Sequence, residues 1–267
     1  MNNQSQKTVR QQWEEALKYE GYEHSIHDKR DCTSIKRFSR TWRCILKHIP
    51  EEVQTTSNKK VFEFGCGGGK NLAQFLLNGW RVVGIDVSAE VLERTRQYLA
   101  EVQCICECLA NVELVHGDFL GYTSEEQFDL VYHVGVVEHF LDDTEREAAI
   151  KNMFKITKKG GYVISIVPSG AHPLRQKVKT RKLGGYSIPE IDYTVALMEG
   201  ELRKCGGKNI KVVPHNIMGY RLIDDKQGIA RIADRLVYYM FQTIPLAILR
   251  KSFLCRHAMT LIGIAQK

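Results

Sequence analysis

The sequence predicts an α/β fold, an open and mostly parallel sheet with helices on both faces, and three observations carry the prediction. The apolar run Val61-Phe62-Glu63-Phe64 breaks into a glycine-rich turn, Gly65-Cys66-Gly67-Gly68-Gly69. A second apolar run, Val82-Val83-Gly84-Ile85, ends on the acid Asp86, and a third segment closes on His116-Gly117-Asp118. From Lys60 onward, short apolar runs alternate with stretches of helical periodicity, the pattern of strands joined by crossover helices.

Taken in order, the first fifty residues place Trp13, Leu17, Ile35, Phe38, Trp42, Ile45 and Leu46 at helical spacing, which predicts two helices ahead of the sheet. Strands are expected near 60–65, 80–85, 112–116, 128–134, 161–167, 209–216 and 256–265, seven in all. Helices are expected near 70–78, 88–103, 143–158 and 189–205. The helix after Asp143 has an acidic first turn and is expected to stop at Gly160-Gly161 behind two lysines, as dipole and C-cap preferences favour. At 267 residues the chain fits a single elaborated domain, with a helical segment at 1–57, a core at 58–218, an insertion at 219–254 and a final strand at 255–267.

The chemistry of the turn follows from its residue types. Gly65, Gly67 and Gly69 lack a Cβ, so the backbone can take positive φ and approach a ligand closely. Asn71 and Leu72 open a helix whose unpaired amides suit a carboxylate. Asp86 is placed to accept both hydroxyls of a ribose. Asp118 is placed to accept from an adenine amino group, with Val87 and Phe119 covering the ring faces, and Glu63 to hold an ammonium directly or through the loop. A P-loop requires glycine where the chain has Phe64 and Ser or Thr where it has Asn71, so that reading fails. A dinucleotide fingerprint requires glycine in place of Lys70 and gives no role to Asp118. S-adenosyl-L-methionine is the expected cofactor.

On these residues the chain resembles the class I S-adenosylmethionine-dependent methyltransferases, and within them the small-molecule group called type 11 or UbiE-like. VFEFGCGGGKN matches the first motif, and Asp86 and Asp118 match the ribose and adenine acids. The block Phe128 to Phe140 resembles the fourth strand and its active-site edge, and Lys155 to Ser169 the fifth strand; together the resemblance covers about residues 58 to 169. It implies a Rossmann-like sheet whose last strand is antiparallel. It also implies cofactor contacts from Glu63, Gly65, Cys66, Gly67, Asn71, Asp86, Val87, Asp118, Phe119 and Val134. The N-terminal segment becomes a lid, with Tyr19 and Tyr22 as lid residues or as helix-packing residues. His139 is the first choice for general base, or a residue that orders its loop. His133 and His172 are weaker candidates, the latter as a substrate contact.

Composition narrows the partners. A net charge of +7 comes with basic clusters at Lys29-Arg30, Lys36-Arg37 and Arg175 to Lys182 that lack interleaved aromatics, so nucleic acid is not expected. No Asp/Asn-Pro-Pro-aromatic tetrad follows the fourth strand, which removes a flipped base as acceptor. Eight cysteines without CxxC spacing, and no charged-then-apolar leader, are read as free thiols in a cytoplasmic protein. Neither Cys104-Ile105-Cys106-Glu107-Cys108 nor the acids Glu138, Asp142 and Asp143 have the spacing of a metal site, and none is expected. The apolar stretch Leu236 to Leu249, interrupted by Pro245, is read as a cap helix pair over the acceptor pocket without stable membrane insertion. The alternative is an interfacial segment flanked by Arg235, Arg250 and Lys251. The expected function is methyl transfer to an O or N atom of a small, partly apolar metabolite. The alternatives are a scaffold for protein or RNA without catalysis, and a non-methylating enzyme that uses the same cofactor. The oligomeric state is not set by the sequence.

Overall fold

The computed structural model describes residues 24–118, 120–183, 188–223 and 226–267. Tyr19, Tyr22 and Phe119 lie outside the described residues. Seven strands form one sheet: β1 (Lys60–Phe64), β2 (Arg81–Asp86), β3 (Val112–His116), β4 (Phe128–Val134), β5 (Thr157–Pro168), β6 (Lys208–Ile217) and β7 (Ala258–Gln266), in the order β3-β2-β1-β4-β5-β7-β6. Pairings β1 with β2, β1 with β4 and β2 with β3 are parallel, and β6 with β7 is antiparallel. The mixed sheet with a reversed last strand is the expected architecture.

The chain divides into two compact units. One comprises residues up to Val134 with Asn152–Tyr162 and Lys267; the other comprises Gly135–Lys151 and Val163–Gln266.

In the first unit, Val61, Phe62, Phe64, Val82, Val83 and Ile85 are all buried, the continuous apolar character of strands covered on both faces. Among the described residues three short helices precede β1: α1 (Lys29–Lys36), α2 (Arg40–Leu46) and α3 (Glu51–Thr55). Asp28 and Ser39 cap the first two through their side chains. The helix expected across Ile35 to Leu46 is broken into α1 and α2, because the Ser39 cap restarts the chain between them; the helix expected around Trp13 and Leu17 lies outside the described residues. Trp42 of α2 is fully buried, edge-on to Phe75 and to Tyr132 of β4. Helix α4 (Lys70–Leu77) follows the glycine turn, and α5 (Ala89–Ile105) follows β2 with Ser88 as its cap.

Two expectations fail in this unit. Cys32 and Cys106 form a disulfide that ties α1 to the end of α5, so the cysteines are not all free thiols. The pair is 74 residues apart in sequence, out of reach of any reading based on local spacing. Helix α6 (Asp143–Ile156) stops before the two lysines rather than at Gly160-Gly161, and β5 begins at Thr157. Lys158 answers Asp129 at 2.7 Å instead of the helix carbonyls. Gly160 donates to the Lys267 carbonyl, and Lys267 donates to that of Gly161.

The second unit contains α7 (Arg175–Thr180), α8 (Val195–Lys204), α9 (Tyr220–Ile223), α10 (Gly228–Thr243) and α11 (Lys251–His257). Helix α8 starts at Val195 with Thr194 as its cap, later than the expected 189, because the residues before it serve another purpose. Arg146 is buried between Glu201 and Asp143, and the Tyr193 hydroxyl donates to Glu201 at 2.7 Å. No helix among the described residues is long and apolar enough to cross a membrane.

Candidate functional site

The glycine turn of the first unit is built by positive φ at Gly65 (63°), Gly67 (49°) and Gly69 (75°), where a side chain would be strained. A Cβ on Gly69 would also meet Thr95 Cγ2 at 2.7 Å. Behind the turn, Gly84 of β2 leaves room for Cys66: a Cβ there would lie 2.9 Å from both Cys66 Cβ and Sγ. Cys66 is therefore packed against the sheet. Burial pushes its thiol well above the usual range, which suits a space-filling residue and not a nucleophile.

Asp86 ties this turn to the second strand. One carboxylate oxygen accepts from the Gly67 amide at 3.0 Å and the other from the Ser88 amide at 3.1 Å. Burial raises its pKa, and the Ser88 and Gly67 amides pull it back. The Val87 amide also bonds this carboxylate, so three of its roughly four acceptor sites are engaged by backbone and capacity remains for a ligand hydroxyl. Thr95, reaching from α5, donates to the Gly67 carbonyl and pins the turn from the other side.

Glu63 sits under the turn and is 1% exposed. Asn71 donates to one of its oxygens at 3.0 Å and the Tyr132 hydroxyl to the other at 2.9 Å. Asn71 Oδ1 in turn accepts from the Trp42 indole at 3.1 Å. The sequence reading gave Glu63 and Asn71 to the ligand; the structure places both in a buried chain running from α2 to β4. Burial pushes Glu63 up to about 8, against the pull of the Asn71 and Tyr132 hydrogen bonds. Trp42, Tyr132 and Thr95 were not singled out from sequence. No local spacing marks them as site residues, since Tyr132 meets Glu63 only through the parallel register of β1 and β4.

The remaining expected contacts of this unit are half-buried or open. Val87 is half-buried beside His116, whose ring nitrogen lies 3.1 Å from the Val87 carbonyl. Asp118 is exposed and accepts from the Leu120 amide at 2.9 Å. Val134, at the end of β4, is an exposed apolar residue. His133, one residue earlier, is wholly buried in the strand. The turn, its spare carboxylate lone pairs and the half-open apolar residue Val87 fit an adenosyl ligand carrying a carboxylate.

The second unit holds a separate polar cluster. Arg175 is fully buried, paired with Glu190 and, at 3.1 Å, with Asp192. His139 follows β4 in a 3-10 turn (Val137–His139), and its Nδ1 lies 2.9 Å from the Pro189 carbonyl. That contact fixes the proton on Nδ1 and makes Nε2 the basic nitrogen. Burial lowers the His139 pKa, so the ring is neutral near pH 7. Glu138 is 1% exposed with Oε2 unpartnered, and burial raises it to about 8. Glu138, His139 and Glu190 bring one ligand atom each within 4.8 Å of the others, a spacing that could hold a metal ion. Glu190, distant in sequence, supplies the member that Asp142 and Asp143 were considered for. Arg175 supplies the compensating charge there. His172 is buried between the rings of Tyr220 and His257, and burial with the His257 charge lowers it to about 4.

Comparison with known proteins agrees with this architecture. Residues 61–161 match the methyltransferase domain family. The ubiquinone biosynthesis O-methyltransferase of Hydrogenovibrio crunogenus is 29% identical over 113 residues, 42% of this chain and 44% of that one. An S-adenosylmethionine-dependent methyltransferase from Mesorhizobium loti superposes with a TM-score of 0.57 at 18% identity, covering 87% of this chain and all of the other. Phosphoethanolamine N-methyltransferase 2 of Haemonchus contortus, solved with phosphomonomethylethanolamine and S-adenosylhomocysteine, superposes with a TM-score of 0.56 at 18% identity, covering 84% and 52%. The chain's matches span 44% to 66% of the length of the first curated relatives. Over residues 61–161 the chain is thus similar to methyltransferase domains, and its sheet order, glycine turn and strand-end acid are those of the methyltransferase fold it superposes on.

Proposed function

We propose that the chain transfers the methyl group of S-adenosylmethionine to an oxygen or nitrogen of a small, partly apolar metabolite. The observation that carries this reading is the Asp86 carboxylate at the end of the second strand, locked to the glycine turn through the Gly67 and Ser88 amides. In this reading the amides around Gly65 and Gly67 and the start of α4 hold the cofactor carboxylate. Asp86 takes the ribose, Asp118 with Val87 takes the adenine, and Val134 is a further cofactor contact. The printed names of the curated relatives favour oxygen as the acceptor atom.

The cofactor, when bound, supplies an electrophilic methyl group on a sulfonium. The protein's part is alignment of the acceptor, worth up to roughly 7–11 kcal/mol. Removal of the acceptor proton adds about 10²–10⁴-fold. His139 is the base in this reading: its Nδ1 proton is engaged by Pro189, and its lowered pKa leaves Nε2 able to take a proton at neutral pH. The test is incubation with methyl-labelled S-adenosylmethionine and a panel of phenols, quinols and amines, read by product mass. A product heavier by one labelled methyl supports the proposal. Turnover of the cofactor to other products, with no acceptor methylated, contradicts it.

A further inference from the structure

The most exposed apolar surface among the described residues is α10 with the turn that follows it. Val237, Tyr238 and Phe241 are half-buried on one side of the helix, and Gln242 donates to the Ile217 carbonyl of β6 at 3.0 Å. The opposite side is open. Ile229, Ile232, Leu236, Tyr239 and Met240 recur at intervals of three and four residues, so they form a single stripe. Ile229 is 86% exposed, Leu236 66%, and Ile248 in the next turn 73%. An isolated apolar side chain at a surface is unremarked, but a contiguous stripe of this size marks something that covers it.

The charges around the stripe identify the cover. Arg231, Arg235, Arg250, Lys251 and Arg256 are exposed. The one acid between Gly228 and His257 is Asp234, which is buried and taken up by Arg221 and Lys226. The face therefore presents apolar side chains and positive charge, with no exposed carboxylate of its own. A second copy docked through a two-fold axis would set these cations against their own equivalents with no acid between them. An anionic lipid surface answers both features at once, since the stripe sinks to the acyl boundary and the arginines and lysine reach the headgroups.

We propose that α10 and the segment through α11 form an interfacial docking surface for an anionic membrane, lying in the plane of the bilayer and not crossing it. The inference is independent of the chemistry of methyl transfer. It concerns where the protein works, and its failure would leave the cofactor reading untouched.

The test is flotation of the 267-residue chain with vesicles of phosphatidylcholine alone and with about one-third phosphatidylglycerol, at low and high salt. The expected result is binding to the anionic vesicles, weakened by salt, with little binding to phosphatidylcholine alone. The double variant Ile232→Ser, Leu236→Ser should bind at least about tenfold more weakly, since each substitution removes an exposed apolar anchor. The variant Arg231→Glu, Arg235→Glu should lose the preference for phosphatidylglycerol. Both pairs are exposed, and an unchanged circular dichroism melt checks that the variants fold. Failure of the folded protein to float with anionic vesicles at low salt overturns the proposal. So does binding that neither variant reduces, or a concentration-dependent dimer in sedimentation that the Ile232, Leu236 variant abolishes.

Discussion

Glu63 offers a direct check on the buried chain beneath the glycine turn. Its carboxyl stands at about 8 in the fold against an ordinary value of 4.5. The folded protein therefore holds a proton that the unfolded chain has released between those limits. Stability falls as pH rises through that window and is lost fully only above about 8, the reverse of a salt-bridged acid. A displacement from 4.5 to about 8, at about 1.4 kcal/mol per pH unit, sets a ceiling of roughly 5 kcal/mol. Relaxation around a buried charge brings the expected loss to about 2–3 kcal/mol. Glu63→Gln keeps a carbonyl for Asn71 and removes the ionisation, at a cost of about 1 kcal/mol for the disturbed Tyr132 hydrogen bond. Denaturant melts of the ligand-free protein at intervals from pH 5 to pH 8 should show the wild type losing stability and Glu63→Gln losing clearly less. The slope that persists in the variant combines Glu138, raised to about 8 by burial, with the opposite contribution of His172, which burial lowers to about 4. Equal slopes for wild type and variant would show that Glu63 is already ionised and refute the account of this chain.

Three further outcomes follow from named contacts. Gly84→Ala should cost about 1–3 kcal/mol, because its Cβ would press on Leu72 at 2.8 Å and Cys66 at 2.9 Å; thermal melts measure this. Cys32→Ser should lower stability by about 2–4 kcal/mol through loss of the Cys32–Cys106 link. A reductant should then destabilise the wild type and leave the variant unchanged. His139→Gln should lower turnover about 10²–10⁴-fold while S-adenosylhomocysteine affinity stays as in the wild type; undiminished turnover would show that the proton leaves by another route.

Strands β1 and β2 were legible because strands buried on both faces are written as unbroken apolar runs, and β3 and β4 also fall where the sequence set them, although β3 is only partly covered. Asp86 was legible for a related reason: an acid closing such a run stands at the strand's carboxyl end, where open sheets hold ligands. Contacts that depend on register or on distant pairing were not. The Trp42, Asn71, Glu63 and Tyr132 chain requires knowing that Glu63 lies opposite Tyr132 across two parallel strands. Lys158 resembled a helix C-cap until Asp129 of β4 claimed it. Glu190 joins Glu138 and His139 from about fifty residues away and occupies a stretch read as helix.

The central claim is that the turn from Gly65 to Gly69 and the Asp86 carboxylate grip an adenosyl ligand. Isothermal calorimetry of the wild type and Asp86→Ala with S-adenosylhomocysteine tests it most directly. The account predicts one site per chain in the wild type and a loss of about 1.5–3 kcal/mol of binding in the variant, the worth of hydrogen bonds to a charged acceptor. A folded wild type that takes up no S-adenosylhomocysteine, or a variant that binds it as tightly as the wild type, would contradict it.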